Sequence, residues 1–163
     1  MSSLSSRLLV IFLITIAGLF NIAGSKKKPA VTVRFHVEAS KENGAPFTLH
    51  IPRADGQGDL WVSQIPAISE EDIESFLPYQ ATDGTFGAYF KLDSHGRLAI
   101  ETLSMEAKGK VLAVIVSGRH VVDLLIDRPI RDGLAVIPSG LTSQEVDLLH
   151  KKIKITGEKT GKK

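Results

Sequence analysis

Residues 111–116, Val-Leu-Ala-Val-Ile-Val, form an unbroken apolar run that stops at Ser117-Gly118. A stretch this short, bounded by a turn and rich in β-branched residues, matches a central strand buried on both faces. The turn at Ser117-Gly118 leads into a second strand over 120–126, and Arg131-Asp132-Gly133 turns the chain again into Leu134–Pro138. Thr142 and Glu145 then stand at capping-box spacing, which opens a helix with Val146, Leu149 and Ile153 on its inner face.

Upstream of this run, 87–93 reads as a strand, and Asp93 or Ser94 can cap the next element. Ile100, Leu103 and Ala107 recur at helical spacing up to Gly109, yet Leu98, Ile100 and Thr102 also alternate. Periodicity alone therefore leaves helix and strand both open over 96–107. Residues 31–39 alternate cleanly, with Val31, Val33, Phe35 and Val37 on one face. Asn43-Gly44 is expected to turn this strand back onto 46–52 as an N-terminal hairpin. Residues 54–59, Ala-Asp-Gly-Gln-Gly-Asp, read as a loop, since no Lys-Ser/Thr and no helix come after them to make a phosphate cradle. A third strand is expected over 60–68. Ser69, with Asp72 at capping-box spacing and Glu70 and Glu71 between, predicts a helix whose core face is Ile73, Phe76 and Leu77 and which ends at Pro78. The element order predicts an α+β fold: a mostly antiparallel sheet with helices on one face, preceded by the β-hairpin region.

The chain has 163 residues, near the size of one domain, with 43% hydrophobic and 23% charged residues. It has no cysteine, which excludes a disulfide framework, a thiolate zinc site and thiol catalysis. Arg7 precedes an apolar run from Leu8 to Phe20, and Ala23 and Ser25 fit the small-residue pattern of a signal-peptidase site. This predicts a signal peptide over 1–25, cleavage between Ser25 and Lys26, and a periplasmic or extracellular protein. An uncleaved anchor held by Lys26, Lys27 and Lys28 is the competing reading. No later run approaches a membrane span in length.

Charge divides the chain as sharply as hydropathy does. Residues 26–30 form a basic linker, and 151–163 hold six lysines against Glu158, whereas 29–150 carry 10 basic and 17 acidic side chains, a net −7. No aromatic residue is interleaved with the terminal lysines, so nucleic acid is not an expected partner. Contact of these basic ends with an anionic membrane surface is the alternative use. The expected organisation is thus a signal peptide (1–25), a basic linker (26–30), a β-rich segment with one helix (31–80), an α+β domain (87–153) and a basic tail (154–163).

Candidate chemistry is sparse. Histidines stand at 36, 50, 95, 120 and 150 with no metal-ligand spacing among them. His36 and His50 would face each other across the expected first hairpin, the one pairing that could hold a metal. Asp123 and Asp127 would share a strand face, as solvated edge charges or as paired carboxylates. No GxSxG motif is present. Trp61, Tyr79, Phe86 and Tyr89 are the aromatic candidates for a peptide-contacting patch, with core packing as their alternative role. No cofactor and no metal are expected.

The stretch GKVLAVIVSGRHVVDLLIDRPIRDGLAVIPSGLTSQEVDLL over 109–149 resembles the head of the first periplasmic domain of SecD, the protein-export subunit. The family's order of turn glycines, paired valines and strand prolines is met by Gly109, Lys110, Gly118, Arg119, Val121, Val122, Ile126, Pro129, Ile130, Gly133, Ile137, Gly140, Thr142 and Glu145. Leu92, Asp93, Gly96, Ile100 and Leu103 extend the similarity upstream, so the resemblance covers 87–153 and implies a helix over 96–107. The family's Ser-Ala-Pro after the paired valines is Asp123-Leu124-Leu125 here. The resemblance implies the head fold, a cell-envelope location and a noncatalytic module that contacts unfolded or translocating polypeptide. It does not carry over the membrane motor. A structural partner within an envelope protein complex and a hydrolase or metal enzyme with a dispersed site are the alternatives.

Overall fold

The computed structural model describes residues 31–44 and 46–157. The expected signal peptide, its cleavage point at Ser25-Lys26, the basic linker and the end of the basic tail lie outside the described residues. Among the described residues, no helix is long and apolar enough to cross a membrane.

Strand β6 (Val111–Val116) is the central strand of a three-stranded sheet, between β1 (Val33–Val37) and β7 (Arg119–Leu125). The β6–β7 connection is a two-residue turn with positive φ at both Ser117 (50°) and Gly118 (82°), the geometry that matches the twist of antiparallel strands. Ser117 donates its N–H to Thr32 O at 2.9 Å, which ties the turn to the chain entering β1.

The expected hairpin between 31–39 and 46–52 does not form. Instead β1 pairs antiparallel with β6, from Val33↔Val116 to Val37↔Leu112, and β2 (Thr48–Pro52) pairs with β3 (Asp59–Ser63). Val33, Phe35 and His36 are all buried, and pairing with β6 places β1 within the body of the fold, where both of its faces are covered, as a hairpin standing clear of that body would not be. Asn43 closes a 3-10 turn (Lys41–Asn43) capped by Ser40, and Phe47 is left 67% exposed. The 54–59 loop stands as expected, joining β2 to β3. Of the expected strand 60–68, only the first part is regular, though Ile68 still bridges Phe35.

The expected helix from Ser69 is also corrected. The capping box is present, with Asp72 Oδ2 accepting from Ser69 N–H at 2.8 Å, but it caps only a 3-10 turn (Glu70–Asp72), after which β4 (Ile73–Gln80) begins. Pairing with β5 (Phe86–Leu92) overrides the local helix signal, burying Phe76 opposite Phe90. Pro78 sits within this strand rather than ending a helix. Ala81 donates to Thr85 O, so by antiparallel alternation Pro78 turns its missing N–H away from β5, beyond the point where the short parallel neighbour β9 (Lys154–Ile155) has ended.

Helix α1 (Ser94–Glu106) resolves the ambiguous segment, with Asp93 Oδ1 accepting from Gly96 N–H at 2.8 Å. Strand β8 (Leu134–Leu141) does not continue β6 and β7 into one meander: it pairs with β5 in a second sheet of order β8-β5-β4-β9. Helix α2 (Ser143–Lys152) opens on the expected Thr142–Glu145 capping box. The architecture is α+β with predominantly antiparallel sheets. Their shared core packs Phe35 edge-on to Phe90 (centroids 6.4 Å apart) and Phe90 against Phe76, and it takes Ile100 from α1 and Leu149 and Ile153 from the α2 end. The β2–β3 hairpin stays outside this core, packing Leu60 and Val62 on Ala113 in a separate cluster.

Candidate functional site

Strands β7 and β8 each end a sheet, and they are sheet edges that face one another. The two edges pinch together where Gly140 meets Val121: a Cβ at Gly140 would lie 2.9 Å from Val121 Cγ1. Toward the 127–132 segment they enclose a cavity of about 410 Å³. Phe35, Ile100, Leu112, Ile126 and Ala135 form its apolar floor, and Asp127, Arg128, Arg131 and Asp132 stand at its rim. Ser104 fixes one wall, donating its hydroxyl to Glu101 O and accepting the Ile130 N–H at 2.8 Å.

Main-chain groups line this groove as well. Leu92 donates to Gly133 O at 2.9 Å, so alternation turns the peptide groups of Ala135 and Ile137 toward β5 and those of Val136 away from it. Ile126 donates to Lys110 O at 2.9 Å, and the same alternation directs the peptide groups of Asp123 and Leu125 away from β6. Pro138, which has no N–H, limits the donors that β8 offers. An apolar trough between two strand edges suits an extended chain, which can satisfy edge groups and bury side chains together.

None of the four aromatic candidates lines this groove. Trp61, on β3, stacks on His50 with centroids 4.6 Å apart, and Lys41 Nζ lies 5.9 Å from its ring. Phe86 is half-buried against the main core. Tyr79 and Tyr89 do come together, 5.1 Å apart, on the outer face of β4 and β5 beside Leu77. There Tyr79 donates its hydroxyl to Pro138 O at 3.0 Å, with its ring lying over Gly87, where a Cβ would be 2.6 Å from the hydroxyl oxygen. Burial, then the neighbouring Tyr89, push the Tyr79 phenol up. Leu124, Ile126 and Ala135 of the groove are not among the site residues that the sequence predicts, because an aliphatic strand residue at an edge carries the same signal as one in the core.

The side-chain pairings expected for chemistry are rearranged. His36 and His50 do not face each other: His36 is buried with Nδ1 2.8 Å from Ser63 O, and burial lowers its pKa, while His50 Nε2 lies 3.1 Å from Asp59. No group of three or more metal-binding side chains gathers among the described residues. Asp127 falls beyond the end of β7, and Asp123 is not a solvated edge charge: its Oδ2 accepts the Ala54 N–H at 3.1 Å. Ser69, Asp72 and His95 form a chain in which the Ser69 hydroxyl bonds Asp72 Oδ2 and His95 Nδ1 bonds Asp72 Oδ1 at 2.7 Å. The serine thus contacts the carboxylate and not the imidazole, an order that activates no nucleophile. Burial alone would raise the Asp72 pKa, but the Ser69 and His95 hydrogen bonds outweigh it and hold the carboxyl low.

No family model matches the chain, and no curated protein matches it. Solved structures do. A structure of "a membrane component SecDF that enhances protein export" superposes with a TM-score of 0.53 over 90% of this chain and 68% of its own, at 16% identity. A SecDF structure in a "super-membrane-facing form" gives a TM-score of 0.52 over 90% of this chain at 15% identity, with only 20% of that longer chain covered. The fold is SecD-like. At this level of identity the fold is what is shared. The SecD-like superposition takes in the 31–80 segment, which sequence resemblance hardly reached.

Proposed function

We propose that this SecD-like domain is a noncatalytic, exported accessory of protein translocation that holds extended segments of unfolded polypeptide in the groove between β7 and β8. One observation carries the reading: two unpaired strand edges flank an apolar floor, an arrangement that binds main chain generally and side chains loosely. Charges of both signs at the rim, Asp127 and Asp132 with Arg128 and Arg131, favour no single ligand charge, so binding is expected to be weak and nearly independent of salt. The superposed SecDF, described as enhancing protein export, supports the same setting. The signal-like residues 1–25 support a location outside the cytoplasm, with the basic ends available to an anionic membrane surface.

The test is titration with a permanently unfolded secretory protein, followed by amide NMR. Shifts should gather at residues 124–136. Replacing the ligand by a peptide N-methylated at alternate amides should abolish them. No shifts at millimolar ligand, or shifts confined to the lysine-rich ends, would overturn the reading.

A second reading, a fixed surface for an envelope complex, has its own observation in the outer face of β4 and β5. Leu77 and Tyr89 stand directly opposite each other there, 46% and 44% exposed. Crosslinking from position 77 to one defined partner would support it over the groove.

A further inference from the structure

The β2–β3 hairpin is held to the body differently at its two ends. Through β3, main-chain contacts join it to the end of β1: Ala39 donates to Trp61 O at 2.8 Å, and Glu38 pairs with Val62. The far end is held by the side chains of β7. His120 Nδ1 lies 2.8 Å from Pro52 O, Asp123 Oδ2 accepts the Ala54 N–H at 3.1 Å, and Arg53 Nη1 is 3.9 Å from the same oxygen. Residues three apart on a regular strand point to opposite faces. Here the register slips between Val114↔Val122 and Ile115↔His120, and this β-bulge at Val121 turns His120 and Asp123 to the same face.

Their remaining polar atoms then meet. His120 Nε2 and Asp123 Oδ1 are 2.9 Å apart, both buried, and neither has an aligned hydrogen bond, so attraction between them requires a charged imidazole. Nδ1 faces a carbonyl oxygen and Nε2 a carboxylate oxygen. Both contacts are attractive only when both ring nitrogens carry a proton, because a neutral imidazole turns a lone pair to one of the two oxygens.

We propose that the β2–β3 hairpin is a flap, latched to β7 by the His120 imidazolium and the Asp123 carboxylate and released when His120 gives up its proton. The other charges facing the latch are Arg53 and Asp55 on the flap. Beneath it β6 contributes only aliphatic side chains, and Arg119 is turned to Glu145. Release lifts the 53–55 tip from Val111 and Val122, with Trp61 and Val62 still held at Ala39 and Glu38.

Hydrogen exchange of the full chain, without peptide, tests the latch separately from polypeptide binding. The Ala54 amide, which donates to Asp123, should lose protection by about tenfold, after correction for intrinsic rates, once pH is raised far enough for His120 to give up its proton. Val114 and Phe90 amides should keep theirs. In His120→Gln the flap should be poorly protected at every pH, without the step. Should that variant fail to fold, imidazole nitrogen shifts of the native chain still decide, since both His120 nitrogens must be protonated where the flap is closed. Flap protection independent of pH, a step that persists in His120→Gln, or loss in parallel with Val114 would each overturn the proposal.

Discussion

Arg119 Nη2 lies 2.6 Å from Glu145 Oε2, joining the first residue of β7 to the first turn of α2. The same guanidinium nitrogen donates to Gly140 O at 2.8 Å, while Glu145 also accepts from the Thr142 N–H and hydroxyl. One carboxylate thus closes a helix cap and clamps the narrow end of the groove. Burial would raise its pKa, but Arg119 and Thr142 together bring it below the ordinary glutamate value.

Removing the cap should be measurable. Thr142→Ala is expected to cost about 0.5–2 kcal/mol, and Glu145→Ala more, because it also removes the carboxylate that Arg119 pairs with. Denaturant titration of both variants checks the order, and equal losses would contradict the shared role of Glu145.

Gly133 has φ +70°, and a Cβ there would lie 2.7 Å from Arg97 Cδ. Gly118, at φ +82°, has nothing within 4 Å. Gly118→Ala should therefore cost only the left-handed backbone penalty of about 1–2 kcal/mol, and Gly133→Ala distinctly more. Paired unfolding curves give the comparison.

Acid should destabilise the fold. Asp72, Glu145 and Glu70 all have pKa values below their ordinary ones, so they bind fewer protons folded than unfolded. Their contribution is complete above the ordinary carboxyl range and is lost as pH falls through the lowered values. His95, raised by its bond to Asp72, acts in the opposite sense: its contribution is present below the ordinary imidazole value and is lost as pH rises through the raised one. Asp72→Asn should flatten both limbs in stability measured against pH.

Leu125, 66% exposed and lining the groove, gives a probe of binding that spares folding. Leu125→Asp should leave stability within about 0.5 kcal/mol and weaken the unfolded-chain complex several-fold. Trp61→Ala, on the hairpin, should leave that complex unchanged. The reverse pattern in NMR titrations would move the site to the hairpin.

Export is checked in the native host. N-terminal sequencing should find a mature chain starting at or near Lys26, and an intact Met1 on a membrane-bound form would contradict it.

Local chemistry made the second half of the chain legible. Ser117-Gly118, the Asp93 cap, the Thr142–Glu145 box and the aliphatic run of β6 each act within a few residues, so their geometry is set by neighbours in sequence. What failed was strand partnership. The alternation in 31–39 correctly marks a strand but does not say which strand lies beside it, and burial of both Phe35 and His36 gave that place to β6. At Ser69 the capping box is present, yet pairing with β5 buries Phe76 opposite Phe90, and the chain stays helical for one turn only. The groove and the latch depend wholly on such non-local choices. Two strand edges become a trough only once β7 and β8 join different sheets, and His120 reaches Asp123 only because a bulge at Val121 reverses the facing that alternation dictates. Periodicity encodes which face of an element is apolar, whereas partner and register are settled by the burial available across the whole fold.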